Sequence, residues 1–212
     1  MLKLIPEVKK LELLGGKLCK KTVNPEKTED IRLDKALAKL PCAADGAPLR
    51  ITITGGEGEG YSLRVEAEKI TLTAQTAAGA FWGIQTLRQL FCEESVPCVY
   101  IEDAPDFAHR GFYHDVTRGR IPTMETLKKL VDDMAYYKLN SLQLYVEHVF
   151  PFKETEKLIA KTGCITPEEL KELAAFYDAG YSEVGDYPAW EYKKDSKLRD
   201  TMVRIYKQMF GR

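Results

Sequence analysis

Residues 111–148 read GFYHDVTRGRIPTMETLKKLVDDMAYYKLNSLQLYVEH. Their patterning predicts strands at 111–116 and 141–148, and Thr123 can cap a helix between them. The apolar side of that helix recurs every three or four residues, through Leu127, Leu130, Val131, Met134 and Tyr137. A strand, a helix and a second strand in this order form a βα unit with parallel strands and a right-handed crossover.

The pattern continues towards the C-terminus. Residues 166–169 (TPEE) combine a capping threonine, a proline in the first turn and a glutamate at the third position, which predicts the start of another helix. A last amphipathic helix is predicted over residues 198–210. Repeated βα units are typical of an eight-stranded barrel, which takes about 250 residues. The whole sequence has 212 residues, so we predict only an incomplete βα-barrel segment over residues 105–212, with a C-terminal helix.

Residues 1–104 predict a separate α+β domain, which ends at a polar break over 102–106 (EDAPD). Short strands are expected at 2–5, 11–14 and 96–101, and helices at 30–40 and 76–91. Alternating residues at 49–54, 61–66 and 69–74 predict three more strands in an antiparallel meander, with the glycine-rich residues 55–60 as a hairpin turn. The expected fold class is therefore α/β, with an antiparallel sheet in the N-terminal domain followed by the barrel segment.

Composition excludes several classes of partner. The 31 basic and 32 acidic residues give a net charge of −1, which favours neither nucleic acid nor an anionic membrane surface and suits a neutral substrate. No apolar run approaches the ~18 residues of a membrane span, and residues 1–16 do not resemble a signal peptide. We therefore expect a cytoplasmic protein with reduced cysteines. Neither a metal site nor a cofactor is expected, since no HExxH or GxGxxG motif occurs.

Three stretches resemble glycoside hydrolase family 20, the β-N-acetylhexosaminidases. Residues 76–91 (TAAGAFWGIQTLRQLF) are similar to the helix that ends the family's N-terminal domain, and residues 101–123 to the linker and first barrel strand. Residues 127–148 are similar to the first barrel helix and second strand. The resemblance implies hydrolysis of terminal N-acetylhexosamine residues, with the sugar's own acetamido group as the nucleophile.

The catalytic acids of this family are an adjacent Asp–Glu pair in a His-x-Gly-Gly-Asp-Glu motif. No Asp-Glu dipeptide occurs in this sequence, so we predict no catalytic residue here. The expected outcome is a carbohydrate-active protein that is inactive alone.

The resemblance does assign a sugar-binding shell. Arg110 matches the family arginine that holds sugar hydroxyls, and a guanidinium suits that role because its fixed fork of donors can bridge two hydroxyls. Asp115 matches the family's strand-end aspartate. Two structural alternatives stay open: Arg110 as a salt-bridged residue at the domain boundary, and Asp115 as a partner of Arg118 or Arg120.

The second barrel strand contributes the remaining candidates. Alternation places Gln143, Tyr145 and Glu147 on one face and His148 on the other. The family more often has histidines at the positions of Gln143 and Tyr145, and Glu147 and His148 can take over their contacts. We therefore predict Gln143, Tyr145, Glu147 and His148 as substrate-binding residues. Trp82 is expected in the core.

Three functions remain in competition. The first is a hexosaminidase segment that binds N-acetylhexosamine-containing glycans. The second is a non-catalytic sugar-binding or scaffolding module whose C-terminal helix caps the partial barrel. In the third, partial barrels from several chains rebuild one site. Two parallel strands leave uncovered edges and faces, which favours a homodimer over a monomer.

Overall fold

The computed structural model describes residues 2–28, 30–118, 120–146 and 164–178. These residues belong to one compact unit, Met1–Ser182. Three of the predictions above lie outside the described residues: the roles of Glu147 and His148, and the helix at 198–210. The domain boundary after residue 104 stays a prediction.

Eight strands and four helices are described. In chain order they are β1 (Lys10–Lys17), β2 (Val23–Pro25), α1 (Ile31–Leu37), β3 (Ala47–Ile53), β4 (Tyr61–Val65), β5 (Ile70–Ala74), α2 (Ala77–Cys92), β6 (Pro97–Asp103), β7 (Gly111–Asp115), α3 (Met124–Tyr136), β8 (Ser141–Tyr145) and α4 (Pro167–Asp178).

The first six strands form one sheet in the order β1-β6-β4-β5-β3-β2. Alternate residues of its central strands are buried, including Leu63, Val65, Ile70 and Leu72. Helix α2 contacts β3, β4 and β5 and also α1 and α3. It is therefore buried on nearly every side, which explains why its sequence is apolar almost all round.

The antiparallel meander predicted from the sequence is wrong in one pairing. Strand β3 lies parallel to β5, not antiparallel to β4. Ile53 at the end of β3 and Tyr61 at the start of β4 both pair with Ala74, from opposite sides. The connection between them is therefore an arch over the end of β5 and not a hairpin turn. Alternating burial is the same for both arrangements, so the sequence pattern does not distinguish them.

The helix starts are confirmed. The Oγ atoms of Thr76, Thr123 and Thr166 accept hydrogen bonds from the backbone N–H groups of Gly79, Thr126 and Glu169 at 3.1–3.2 Å. The Glu169 carboxylate in turn accepts from the Thr166 N–H, which completes a capping box. By contrast, residues 2–5 form no strand, and the short parallel strand β2 was not predicted.

The second part of the structure is a partial barrel. Strands β7 and β8 are parallel, in register from Gly111 opposite Ser141 to Asp115 opposite Tyr145. Helix α3 connects them and buries Leu127, Val131, Met134 and Ala135. Tyr137, predicted on the apolar side of this helix, is instead 45% exposed. The fold class is confirmed: a mixed α/β structure that includes an incomplete βα barrel.

Candidate functional site

The polar face of the partial barrel lies where β7 and β8 run side by side. Tyr113 pairs with Gln143, and Asp115 pairs with Tyr145, so the four side chains share one face of this two-stranded sheet. The rings of Tyr113 and Tyr145 lie 5.9 Å apart. Asp115 and Tyr145 end their strands, and the carboxyl ends of barrel strands are where barrel sites form. The structure therefore brings together three predicted residues, Asp115, Gln143 and Tyr145, and adds Tyr113.

Asp115 is held by the backbone that follows it. Its Oδ1 accepts hydrogen bonds from the N–H groups of Thr117 at 2.8 Å and Arg118 at 3.1 Å. These two bonds lower the pKa of the Asp115 carboxyl below its ordinary value, since they favour the ionised form. Asp115 is therefore a structural partner of Arg118, one of the two alternatives above, and the contact includes the backbone N–H of Arg118.

Arg110 lies at the other end of β7. The five residue steps that separate it from Asp115 correspond to about 16 Å along an extended strand. Its Nη2 donates to the Glu59 carboxylate at 2.6 Å, its Nε to the Lys138 carbonyl at 2.8 Å, and its Nη1 to the Phe107 carbonyl at 2.7 Å. The structure therefore shows the salt-bridged arrangement at the domain boundary. A sugar contact by Arg110 stays a prediction.

Arg110 also borders a cavity of about 190 Å³ between the N-terminal sheet and the partial barrel. Other residues that line it include Glu59, Tyr61, Trp82, Asp103 and Lys138. Trp82 is 2% exposed, which confirms its predicted core position. The guanidinium carbon of Arg110 lies 5.2 Å from the centre of the Trp82 ring. The cavity thus combines an aromatic wall with charged groups from both parts of the fold.

Lys138 is the most deeply buried charged residue at this junction. Its ammonium donates to Asp103 Oδ2 at 2.8 Å and to the Tyr61 hydroxyl at 2.9 Å. The Tyr61 hydroxyl donates to the same carboxylate at 3.0 Å and lies 2.6 Å from the Thr86 hydroxyl. Burial lowers the pKa of Lys138 and raises that of Tyr61 well above its ordinary value.

Sequence patterning did not identify this buried network. Lys138 directly follows an amphipathic helix, where a lysine is usually solvated. With a φ of 60° it is the one described non-glycine residue with a positive φ, and a sequence pattern does not show this conformation. Asp103 is 35 residues away and ends β6. No local pattern relates two residues that far apart.

Two kinds of feature are absent from residues 2–28, 30–118, 120–146 and 164–178. No group of three or more His, Cys, Asp or Glu side chains is arranged to hold a metal ion there. None of the described helices combines the length and the apolar character that a membrane crossing requires.

Comparisons with known proteins point to one family. Residues 9–104 match the family model "Glycosyl hydrolase family 20, domain 2", and residues 107–187 match the model "Glycosyl hydrolase family 20, catalytic domain". The two matches follow one another along the chain and together cover most of it.

Curated relatives include a β-hexosaminidase of Porphyromonas gingivalis, 40% identical over 39% of this chain and 12% of its own length. A β-hexosaminidase of Akkermansia muciniphila is 34% identical over 57% of this chain and 29% of its own. The chain thus spans less than a third of either relative.

A solved family 20 β-N-acetylglucosaminidase superimposes with a TM-score of 0.71 at 28% identity, over 84% of this chain and 41% of that structure. The family models, the curated relatives and this superposition all indicate one family. The chain belongs to glycoside hydrolase family 20.

Proposed function

We propose that this chain provides the N-terminal α/β domain and the first βα units of a β-N-acetylhexosaminidase. The observation that carries the proposal is the superposition on a family 20 β-N-acetylglucosaminidase across both parts of the fold, with a TM-score of 0.71. The proposed substrates are glycans that end in N-acetylhexosamine. Such sugars are neutral, in keeping with the balanced charge of the sequence.

The proposed sugar contacts use the polar face at the carboxyl ends of β7 and β8, from which Arg110 lies about 16 Å away at the other end of β7. Asp115 and Gln143 provide a carboxylate and an amide for sugar hydroxyls, and Tyr145 adds a hydroxyl and an aromatic ring. Tyr113 is 54% exposed beside Tyr145 and extends this surface. Glu147 and His148 remain part of the proposal on the resemblance alone.

The isolated chain is expected to show no hydrolysis of a chromogenic N-acetylglucosaminide. The reason is the lack of any Asp-Glu dipeptide in the sequence, since proton transfer by a general acid contributes about 10²–10⁴ in rate. The measurement is release of the chromophore by the repurified chain, beside the variant Glu147→Gln as a control. Hydrolysis that survives repurification and disappears in this variant would contradict the expected inactivity of the isolated chain and would make Glu147 part of its chemistry. Sugar binding without hydrolysis fits both a hexosaminidase segment and a non-catalytic module. It would favour the non-catalytic module only if the gene encoded no Asp–Glu motif beyond this sequence.

We also propose that the chain forms a homodimer through its partial barrel. Parallel strands are normally covered on both faces, whereas Phe112 of β7, on the face opposite the proposed sugar contacts, is 40% exposed. Light scattering after size exclusion is expected to give twice the mass of one chain. Phe112→Ser should shift the protein towards the monomer, and Ile31→Ser, at a 62% exposed position in α1, should not. A monomer at every concentration would refute the proposal.

The cytoplasmic location is retained as part of the proposal. Cys19, Cys42 and Cys92 are exposed free thiols, and exposed thiols suit a reducing compartment.

A further inference from the structure

The carboxyl ends of β7 and β8 are tied together by the residues that follow β7. Val116 and Thr117 continue the chain from Asp115, and both are buried, with 1% and 8% of their surface exposed. The N–H of Val116 donates to the Tyr145 carbonyl at 3.1 Å, and the Thr117 hydroxyl donates to the same carbonyl at 3.3 Å. Thr117 is therefore anchored on the end of β8 by its side chain.

Thr117 also holds the side chain of Asp115. Its backbone N–H donates to Asp115 Oδ1 at 2.8 Å, and the N–H of Arg118 donates to the same oxygen at 3.1 Å. Asp115 and Tyr145 lie opposite one another in the register of the two strands. Thr117 thus bonds to both strand ends at once, through its N–H to Asp115 and through its hydroxyl to Tyr145.

The two oxygens of the Asp115 carboxylate differ in their contacts. Both backbone bonds go to Oδ1, and no residue in the described part of the chain donates a hydrogen bond to Oδ2. A carboxylate oxygen can accept about two hydrogen bonds, so Oδ2 keeps its capacity for a ligand at the carboxyl end of the strand. The structural contact with Arg118 is therefore compatible with a sugar contact.

We propose that Thr117 is a positioning residue, which fixes the Asp115 carboxylate at the end of β8 so that Oδ2 accepts a hydroxyl of an N-acetylhexosamine. Its hydroxyl anchors Thr117 on β8, and its N–H orients the carboxylate. This inference rests on the proposed function, because it takes Asp115 as a sugar contact. Thr117 acts through Asp115 and does not itself contact the sugar.

The first measurement requires no sugar. The N–H groups of Thr117 and Arg118 lower the pKa of the Asp115 carboxyl, so displacement of the Thr117 N–H should raise this pKa towards its ordinary value. NMR titration of the Asp115 carboxyl carbon in the whole chain should show the rise in Thr117→Val, which keeps the shape and removes the hydroxyl. Thr117→Ser keeps the hydroxyl and should titrate like the parent chain.

The second measurement is calorimetric titration with N-acetylglucosamine at neutral pH, at a temperature where circular dichroism shows every variant folded. We expect Thr117→Val to bind about threefold more weakly, because the hydrogen bond that anchors Thr117 is lost. Thr117→Ser should recover the parental affinity. Thr52→Val is the matched control, since Thr52 is exposed in β3 of the N-terminal sheet, and it should leave both the Asp115 pKa and the affinity unchanged.

The double variant Thr117→Val/Asp115→Asn separates positioning from a general structural effect. If Thr117 acts through Asp115, the double variant binds no more weakly than Asp115→Asn alone. Losses that simply multiply would overturn the inference, as would parental affinity in Thr117→Val or weaker binding with an unchanged Asp115 pKa. In these cases the proposed function stands. If the parent chain fails to bind, or if Asp115→Asn binds equally well, the sugar-binding role of Asp115 is refuted and the inference with it.

Discussion

The variant Asp103→Ala is expected to lower the free energy of unfolding by about 3–5 kcal/mol, because it leaves the Lys138 ammonium buried without its counter-charge. The side chains of Lys138 and Asp103 are only 7% and 10% exposed, and Lys138 Nζ lies 2.8 Å from Asp103 Oδ2. The same carboxylate also accepts from the Tyr61 hydroxyl, so two buried donors lose a partner. Urea unfolding followed by circular dichroism measures the change.

Asp106→Ala provides the matched control for this prediction. Asp106 forms an ion pair with Lys9 at the same 2.8 Å, but its side chain is 74% exposed. Exposed pairs contribute about 0–1 kcal/mol, so this variant should unfold almost like the parent. Adding Lys138→Met to Asp103→Ala removes the stranded charge and should recover part of the lost stability. Equal, small effects of Asp103→Ala and Asp106→Ala would show that the junction network does not stabilise the fold.

The second large effect is expected for Leu72→Ala, at about 2–5 kcal/mol of lost stability. Leu72 lies in β5 with 0% of its surface exposed. It packs closely under α2, since a Cβ atom on Gly83 would lie 2.3 Å from its Cδ1. Truncation therefore removes buried methyl groups and leaves a cavity between sheet and helix. Thermal and urea unfolding both report the loss.

Leu13→Ala is the same substitution at an exposed position of the same sheet. Leu13 lies in the edge strand β1 and is 66% exposed, so its truncation should change stability by less than about 0.5 kcal/mol. If the two leucine variants were equally stable, the close packing between β5 and α2 would be refuted.

The first prediction also bears on the junction between the N-terminal sheet and the partial barrel. Lys138 contacts the N-terminal sheet through its ammonium, and its carbonyl accepts from Arg110 Nε. Disruption of the buried pair should therefore disturb both the junction between the two parts and the orientation of Arg110.

The sequence by itself determined most of the local elements and the family. Thr76, Thr123 and Thr166 mark helix starts because each cap bonds a backbone N–H three residues ahead, so the required pattern is short and local. The βα unit formed by β7, α3 and β8 was predictable for the same reason, since alternation and helical periodicity depend on near neighbours. Alternation placed Gln143 and Tyr145 on one face of β8, whereas the register that adds Asp115 to this face comes from the structure.

Only the tertiary structure decided which strands are neighbours and which charges meet. Alternation fixes the buried face of β3 but not whether it lies beside β4 or β5, because both arrangements bury the same residues. Glu59 and Arg110 are 51 residues apart, and Lys138 and Tyr61 are 77 residues apart. Such contacts form because packing the sheet against the partial barrel withdraws both partners from water. A buried polar or charged group without a partner is costly, so the two groups pair. That requirement acts through space, and no spacing along the chain records it.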